Sequence, residues 1–229
     1  MKKPLIKIDV VSDVVCPWCY IGKRRLEKAI DQLKDKIDFQ VEYHPFELNP
    51  DTPKEGVNHK EYLVKKFGGE QRYQQLTNHV VGVAAQEGLK FDFNDTKITP
   101  NTLEAHRLIA FAKKHGKQPE MKEALMSAYF ERGIDLTQTK NLVAIATKVG
   151  IDAQEIEVFL KTDELGAEVK LEEQLNHQRG ISGVPFYIIN NKYGVSGAQP
   201  TEAFMQVFTE VGSDASTNAE ACDVESKEC

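Results

Sequence analysis

The sequence predicts an α/β fold interrupted by a long all-helical insertion, and three observations carry that prediction. Strand and helix patterns alternate over the first 46 residues, only helical periodicity runs from about Val57 to Arg179, and strand patterns return after Gly183. With 229 residues and 41% hydrophobic content, the chain can build a core that needs neither disulfide nor metal to hold it.

The elements follow in order. Leu5, Ile6, Ile8, Val10 and Val11 make 5–12 a strand, and from Cys16 to about Leu33 the residues Ile21, Leu26, Ala29, Ile30 and Leu33 recur at helical spacing. Asp38 to Phe46 alternates Phe39, Val41 and Tyr43 with polar residues, which completes a βαβ unit. The insertion divides into about six helices with no strand among them. Asn58 with Glu61 and Asp152 with Glu155 read as capping boxes, and Thr99-Pro100 reads as a cap followed by a first-turn proline. Gly88, Gly116, Gly133, Gly150 and Gly180 stand where helices should end. Val184–Asn190 and Tyr193–Ser196 form a hairpin through Asn190-Asn191-Lys192, and a last helix runs from Pro200 to about Val211. From Gly212 to Cys229 no apolar period remains, so a mobile tail is expected. The domain plan is therefore 1–56 with 180–211, interrupted by the helical 57–179 and followed by the tail 212–229.

Charge narrows the function. Lys and Arg number 29 against 35 Asp and Glu, a formal charge of −6, which argues against nucleic acid as a partner. No apolar run approaches the ~20 residues of a membrane span. After Met1-Lys2-Lys3, the residues Lys7, Asp9 and Asp13 arrive before a signal-peptide core can form, and the expectation is a cytoplasmic protein. In a reducing compartment a close cysteine pair points to redox chemistry or metal, not to a structural bridge.

Cys16-Pro17-Trp18-Cys19 lies where the first strand turns into the first helix. A cysteine there faces unpaired backbone N–H groups and the positive end of the helix dipole, both of which favour thiolate. Cys16 is thus the expected nucleophile and Cys19, one turn in, the shielded resolving thiol. The competing reading is half a zinc site, but neither the six histidines nor the tail cysteines supply a second pair at ligand spacing, so no metal is expected.

Four segments together resemble the FrnE-like branch of the DsbA family of thiol–disulfide oxidoreductases: Cys16-Pro17-Trp18-Cys19-Tyr20-Ile21-Gly22, the run from Pro45-Phe46 to Leu48-Asn49-Pro50, Asn101-Thr102 with Ala105-His106-Arg107, and Gly183-Val184-Pro185-Phe186. The resemblance spans roughly residues 5–211. It implies a thioredoxin-like fold with the helical domain inserted after the second strand, and it makes Val184-Pro185 a cis step beside the cysteines. Read without it, Pro185 would be a trans residue opening an edge strand. A cis step would let Val184 pair with an extended substrate.

The resemblance also places His106 and Arg107 on the active-site side, as candidate substrate-groove residues alongside Trp18, which is expected in an exposed loop; the alternative reading is a histidine packed between helices and a solvated arginine. Trp18 stands where the best-known DsbA dipeptide has histidine, which implies a less oxidising couple. Asp13 is read first as a cap on the first helix and second as a proton relay for Cys19. Lys23-Arg24-Arg25 is read as a solvated face, and His44, His59, His79, His115 and His177 as unremarkable side chains. Cys222 and Cys229 are a candidate second redox pair on the tail, set against two incidental thiols.

The resulting expectation is an oxidoreductase whose substrates are protein or small-molecule disulfides and thiols. The chain needs no dissociable cofactor, since the disulfide is itself the redox group, exchanging with glutathione, thioredoxin or another recycling reductant. A monomer is favoured, as no dimerisation segment is visible. Two rival classes stand beside it. One is an isomerase of aromatic or polyketide substrates, related to 2-hydroxychromene-2-carboxylate isomerase and kappa glutathione transferases, against which the intact cysteine pair counts. The other is a holdase that binds substrate without chemistry.

Overall fold

The computed structural model describes residues 3–94 and 96–224, with 214–224 described by backbone alone. Strand β1 (Leu5–Ser12) leads into α1 (Pro17–Leu33), and β2 (Asp38–Pro45) pairs parallel to β1 in register Leu5 with Asp38 through Ser12 with Pro45. The chain then leaves the sheet. It forms the short β3 (Val57–Asn58), α2 (His59–Phe67), α3 (Glu70–Gln86), the short β4 (Ile98–Thr99), α4 (Leu103–Lys114) and α5 (Gln118–Arg132). Three more helices follow: α6 (Thr139–Val149), α7 (Ala153–Leu160) and α8 (Gly166–Gln178). The return makes β5 (Phe186–Ile189), antiparallel to β1, β6 (Tyr193–Ser196), antiparallel to β5, and α9 (Thr201–Val224). The sheet order is β2-β1-β5-β6, the expected thioredoxin-like arrangement with its helical insertion after β2.

Strand alternation decides which residues face the core. Ile6, Ile8 and Val10 of β1 point one way with Tyr187 and Ile189 of β5, and bury against Leu26, Ala29 and Leu33 of α1 and Phe204 and Phe208 of α9. The insertion has its own core, which contains Leu108, Leu125, Met126 and Phe130 and extends to Cys16, Cys19 and Tyr20. The cysteines therefore sit where the two cores meet.

Local signals account for most of the boundaries. Asn58 Oδ1 accepts the Glu61 N–H and Asp152 Oδ1 the Glu155 N–H, both at 3.0 Å, which is the N-cap half of each expected capping box. Gly133 and Gly150 end α5 and α6 in the left-handed region, where a side chain would be strained. Asn190 and Asn191 both have positive φ, 50° and 55°, the turn that matches the twist of a two-stranded hairpin.

Four expectations need correction. Among the described residues the insertion holds seven helices and the β3–β4 pair, whose two-residue strands are too short to show a period. Thr99 belongs to β4 and α4 opens only at Leu103, because the Asn101 side chain ties to the Pro50 and Thr52 carbonyls and accepts the Leu103 N–H. Helix α9 passes the expected stop at Val211 and runs to Val224: Ala215, Ala219, Glu220 and Ala221 favour helix and no proline interrupts it. Cys222 is therefore on helical backbone, while Cys229 lies outside the described residues. Lys23-Arg24-Arg25 is not a solvated face: Lys23 is buried, and both it and Arg24 reach Glu123 of α5 while Arg25 reaches Glu87.

Candidate active site

Cys16 is the N-cap of α1, with Pro17 in the first helical position, where its missing N–H leaves nothing unpaired. The Cys16 carbonyl accepts the N–H of Cys19 at 3.1 Å, which starts the helix. Its thiol donates instead to the Val184 carbonyl, with Sγ 3.6 Å from the oxygen, and the Val184–Pro185 peptide is cis. Residues 168 positions apart are thus in direct contact. Cys16 is 4% exposed and Cys19 3%, so the expected nucleophile is nearly as shielded as the expected resolving thiol. Burial, reinforced by the neighbouring Cys16, holds the Cys19 thiol well above its usual range. Trp18 is not in an exposed loop; it is half-buried in the first turn of α1, 6.0 Å from the His79 ring of α3.

Gly22 explains the last residue of the cysteine motif. A Cβ there would stand 2.2 Å from Tyr187 Oη and 3.3 Å from Pro185 Cγ, so only glycine lets α1 lie this close to the cis-proline turn.

Behind the cysteines lies a buried polar group. Asp13 is fully buried and caps nothing on α1; its Oδ2 accepts the Leu48 N–H at 2.8 Å, and its Oδ1 lies 3.4 Å from His106 Nε2. Burial opposes its ionisation, but His106, the Leu48 N–H and Lys122 outweigh burial and hold the carboxyl below its usual range. Lys122, also buried, donates to the Ser12 carbonyl at 3.3 Å. Burial lowers it to about 8, against the opposing pull of Cys19, Asp13 and Cys16. Glu47 and Glu173 complete the group: burial and the Asp13 charge push Glu47 up to about 7, and burial with Glu47 pushes Glu173 up to about 8. Each keeps one carboxyl oxygen without a hydrogen-bond partner.

Two concavities flank these residues. On one side a cavity of about 370 Å³ opens beside Cys16, between the α2–α3 pair, Trp18 and Val184. On the other a cleft of about 430 Å³ between β2, α4, α5 and α8 reaches His106 and Lys122.

The expected groove residues are therefore divided. Trp18 and Val184 line the cavity at Cys16, and Pro185 is the residue that turns the chain there. His106 faces Asp13 and the rear cleft. Arg107 is 3% exposed and spends its guanidinium on the Glu164 and Thr162 carbonyls and on Glu104, so it is a structural clamp between α4 and the α7–α8 loop and lines no groove at Cys16. His44 and His59 are not unremarkable either. His44 bridges Asp9 and Glu172, which raise its pKa against the effect of burial, and buried His59 is pushed down to about 4.

Lys122, Glu47 and Glu173 escaped sequence reasoning. One signal for Lys122 was present: Lys122, Met126 and Tyr129 follow at i, i+4 and i+7, which places a lysine on an apolar helical stripe. Among the described residues, no group of three His, Cys, Asp or Glu side chains is arranged to hold a metal ion.

Comparison with known proteins agrees with this geometry. The chain is 27% identical over 208 residues to the uncharacterized protein YwbO of Bacillus subtilis (strain 168), covering 90% of this chain and 96% of that one. The crystal structure of a probable DsbA oxidoreductase, SCO1869 from Streptomyces coelicolor, superposes with a TM-score of 0.83 at 32% identity, over 90% of this chain and 89% of that one. 2-Hydroxychromene-2-carboxylate isomerase shares the fold, with a TM-score of 0.67 at 15% identity, over 94% of this chain and 98% of that one. Residues 7–209 match the DSBA-like thioredoxin domain, and the chain belongs to that family.

Proposed function

We propose that the protein is a thiol–disulfide oxidoreductase of the FrnE-like type, working through Cys16 and Cys19. One observation carries the reading: two cysteines a helical turn apart at the N-terminus of α1, the first in contact with the carbonyl before a cis-proline. On ionisation Cys16 loses its donor contact to Val184 and faces the unpaired amides of the first turn of α1. Its thiolate attacks one sulfur of a substrate disulfide, the other sulfur leaves as thiolate, and Cys19 then attacks Cys16 Sγ to release the second half. The dithiol loses two electrons to the substrate, and a dithiol reductant of a reducing cytoplasm restores it. Lys122 supplies the positive charge that offsets a Cys19 thiolate, and Asp13 with His106 accepts its proton.

An isomerase would need no second thiol, and Cys19 beneath Cys16 would have no part in it. The test is oxidation of the pre-reduced protein by bis(2-hydroxyethyl) disulfide, an unspecialised substrate. Formation of the Cys16–Cys19 disulfide is expected; Cys16→Ser should abolish reaction at the pair, and Cys19→Ser should accumulate a mixed disulfide on Cys16 by intact mass. Undiminished oxidation of the Cys16→Ser variant at Cys19 would overturn the assignment of roles.

A further inference from the structure

We propose that the cavity beside Cys16 binds a low-molecular-weight disulfide with an apolar body of aromatic size and a carboxylate, the body lying against Leu63, Phe67 and Leu76 and the carboxylate at Lys66. The proposal rests on the thiol–disulfide reading and names the substrate class of that site.

Four observations support it. First, the volume of about 370 Å³ is that of a small-molecule pocket, and Cys16 lies on its wall. Cys16 is only 4% exposed, so a compact ligand entering the cavity reaches the sulfur, whereas a disulfide on the face of a folded protein would have to displace the cap formed by α2 and α3. Second, Leu48, Leu63, Phe67 and Leu76 line the cavity without joining any of the three hydrophobic clusters of the described residues. These side chains stay partly open to water, and covering them with apolar ligand surface recovers roughly 25 cal/mol per Å².

Third, the walls carry no carboxylate, in a chain with 35 acidic residues. Three other concavities carry them: Glu42 and Glu172 in the rear cleft, Glu70 and Asp92 beside α3, Glu155 and Glu164 beside α7. Fourth, the lysine at this cavity is held by neutral partners. Lys66 Nζ donates to Asn49 Oδ1 at 2.8 Å and to Tyr62 Oη at 3.2 Å, and lies 5.4 Å from the centre of the Tyr62 ring. Among the described residues no acid neutralises it, so its charge is available to an anion. An apolar wall with one available cation and no acid complements an apolar acid and disfavours a cationic or strongly polar ligand.

The chemistry balances without a further component. Cys16 thiolate forms the mixed disulfide and expels one thiolate of the ligand; Cys19 closes the Cys16–Cys19 disulfide and expels the second. The ligand disulfide is reduced to two thiols as the protein dithiol is oxidised.

The test separates binding from redox chemistry. The single tryptophan, Trp18, lines the cavity, so its emission reports occupancy of the reduced full-length protein. Three unreactive probes are titrated: 3-phenylpropanoate, 3-phenylpropanamide and 3-phenylpropylammonium. The carboxylate is expected to bind saturably and to slow alkylation of Cys16 by iodoacetamide. The amide should bind about three- to fivefold more weakly, the span of a solvent-facing ion pair, and the ammonium more weakly still. Lys66→Met should remove the advantage of carboxylate over amide. Leu76→Asp, at a half-exposed helical position, should weaken the carboxylate at least tenfold. In single turnover, 3,3′-dithiodibenzoate should oxidise the pair at a rate that saturates with concentration, and bis(2-hydroxyethyl) disulfide at a rate that stays linear. Equal binding of the three probes, or a carboxylate preference that survives Lys66→Met, would overturn this proposal alone. Failure of bis(2-hydroxyethyl) disulfide to oxidise Cys16 and Cys19 would instead overturn the oxidoreductase reading on which it rests.

Discussion

In the proposed exchange, Lys122 is placed to divide the two steps. Its charge favours ionisation of Cys19, which burial otherwise suppresses. Lys122 interacts more strongly with Cys19 than with Cys16, so removing the charge should act more on resolution than on the first attack. Because a less acidic thiol is also a better nucleophile when ionised, with a Brønsted slope near 0.4–0.5, each unit of added pKa costs only about three- to fourfold in rate near neutral pH. Lys122→Met is expected to leave the first thiol released from an aromatic disulfide as a fast burst and to slow the second by about that factor. Absorbance of the released thiol resolves the two phases, and equal slowing of both would show a general disruption instead. The cysteine pair was legible at this scale because a C-x-x-C spacing at a strand-to-helix turn is a redox signature, whereas the cis step at Pro185 followed only from the resemblance, the residues alone favouring a trans proline. The roles of Asp13, His106 and Arg107 were not legible, since a cap, a relay and a clamp use the same side chains and only burial and partners separate them.

Helix α1 is the element that joins the two halves of the site. Its outer face is fastened to the insertion by Glu123, which receives the Tyr20 hydroxyl at 2.6 Å and Lys23 Nζ at 2.7 Å and also pairs with Arg24. Its middle is fastened by Glu87, which meets Arg25 and Lys28 at 2.6 Å each. Burial works against ionised Glu123, yet Arg24 and Lys23 hold its carboxyl at about 2. A folded-state value below the unfolded one contributes stability above the unfolded pKa, near 4.5, and that contribution is lost as pH falls toward 2. Glu123→Gln is expected to cost roughly 2–3 kcal/mol near neutral pH and to lose much less at pH 3, by denaturant titration. On the opposite face Gly22→Ala should cost roughly 1–3 kcal/mol, because the added carbon meets Tyr187 and Pro185, and calorimetry should show a melting temperature lower by several degrees. Element positions were read well where a cap or a left-handed glycine marks the boundary. They were misread at Thr99-Pro100 and Gly212, where β4 pairing and helix propagation override the local signal.

For the whole molecule, the acids buried where α8 meets the sheet domain are expected to govern the response to alkali. Glu47 at about 7 and Glu173 at about 8 are both raised, so the folded state prefers them protonated. Their contribution is complete below the unfolded value near 4.5 and disappears as pH rises through 7–8. Wild-type melting temperature should decline from pH 5 to pH 8. Glu173→Gln should flatten that decline and make the protein more stable than wild type at pH 8, by on the order of 1–2 kcal/mol. A parallel decline in the variant would show that these acids do not control it. The plan of strand, helix, insertion and return was legible because period-2 and period-3.6 patterns occupy separate stretches. The meeting of Asp13, Glu47, Lys122 and Glu173 was not, because no periodicity records which distant helices converge.

The contact between Cys16 and Val184 has a consequence for synthesis. These partners are 168 positions apart, so at about 5–20 residues per second the first cysteine is made roughly 10–30 s before the carbonyl that will sit against it. For that interval the growing chain carries its reactive pair without the turn that shelters it. Nascent chains halted before Gly183 should therefore be alkylated at Cys16 much faster than the released protein, and the order in which the ribosome delivers the two parts decides how long the pair is exposed.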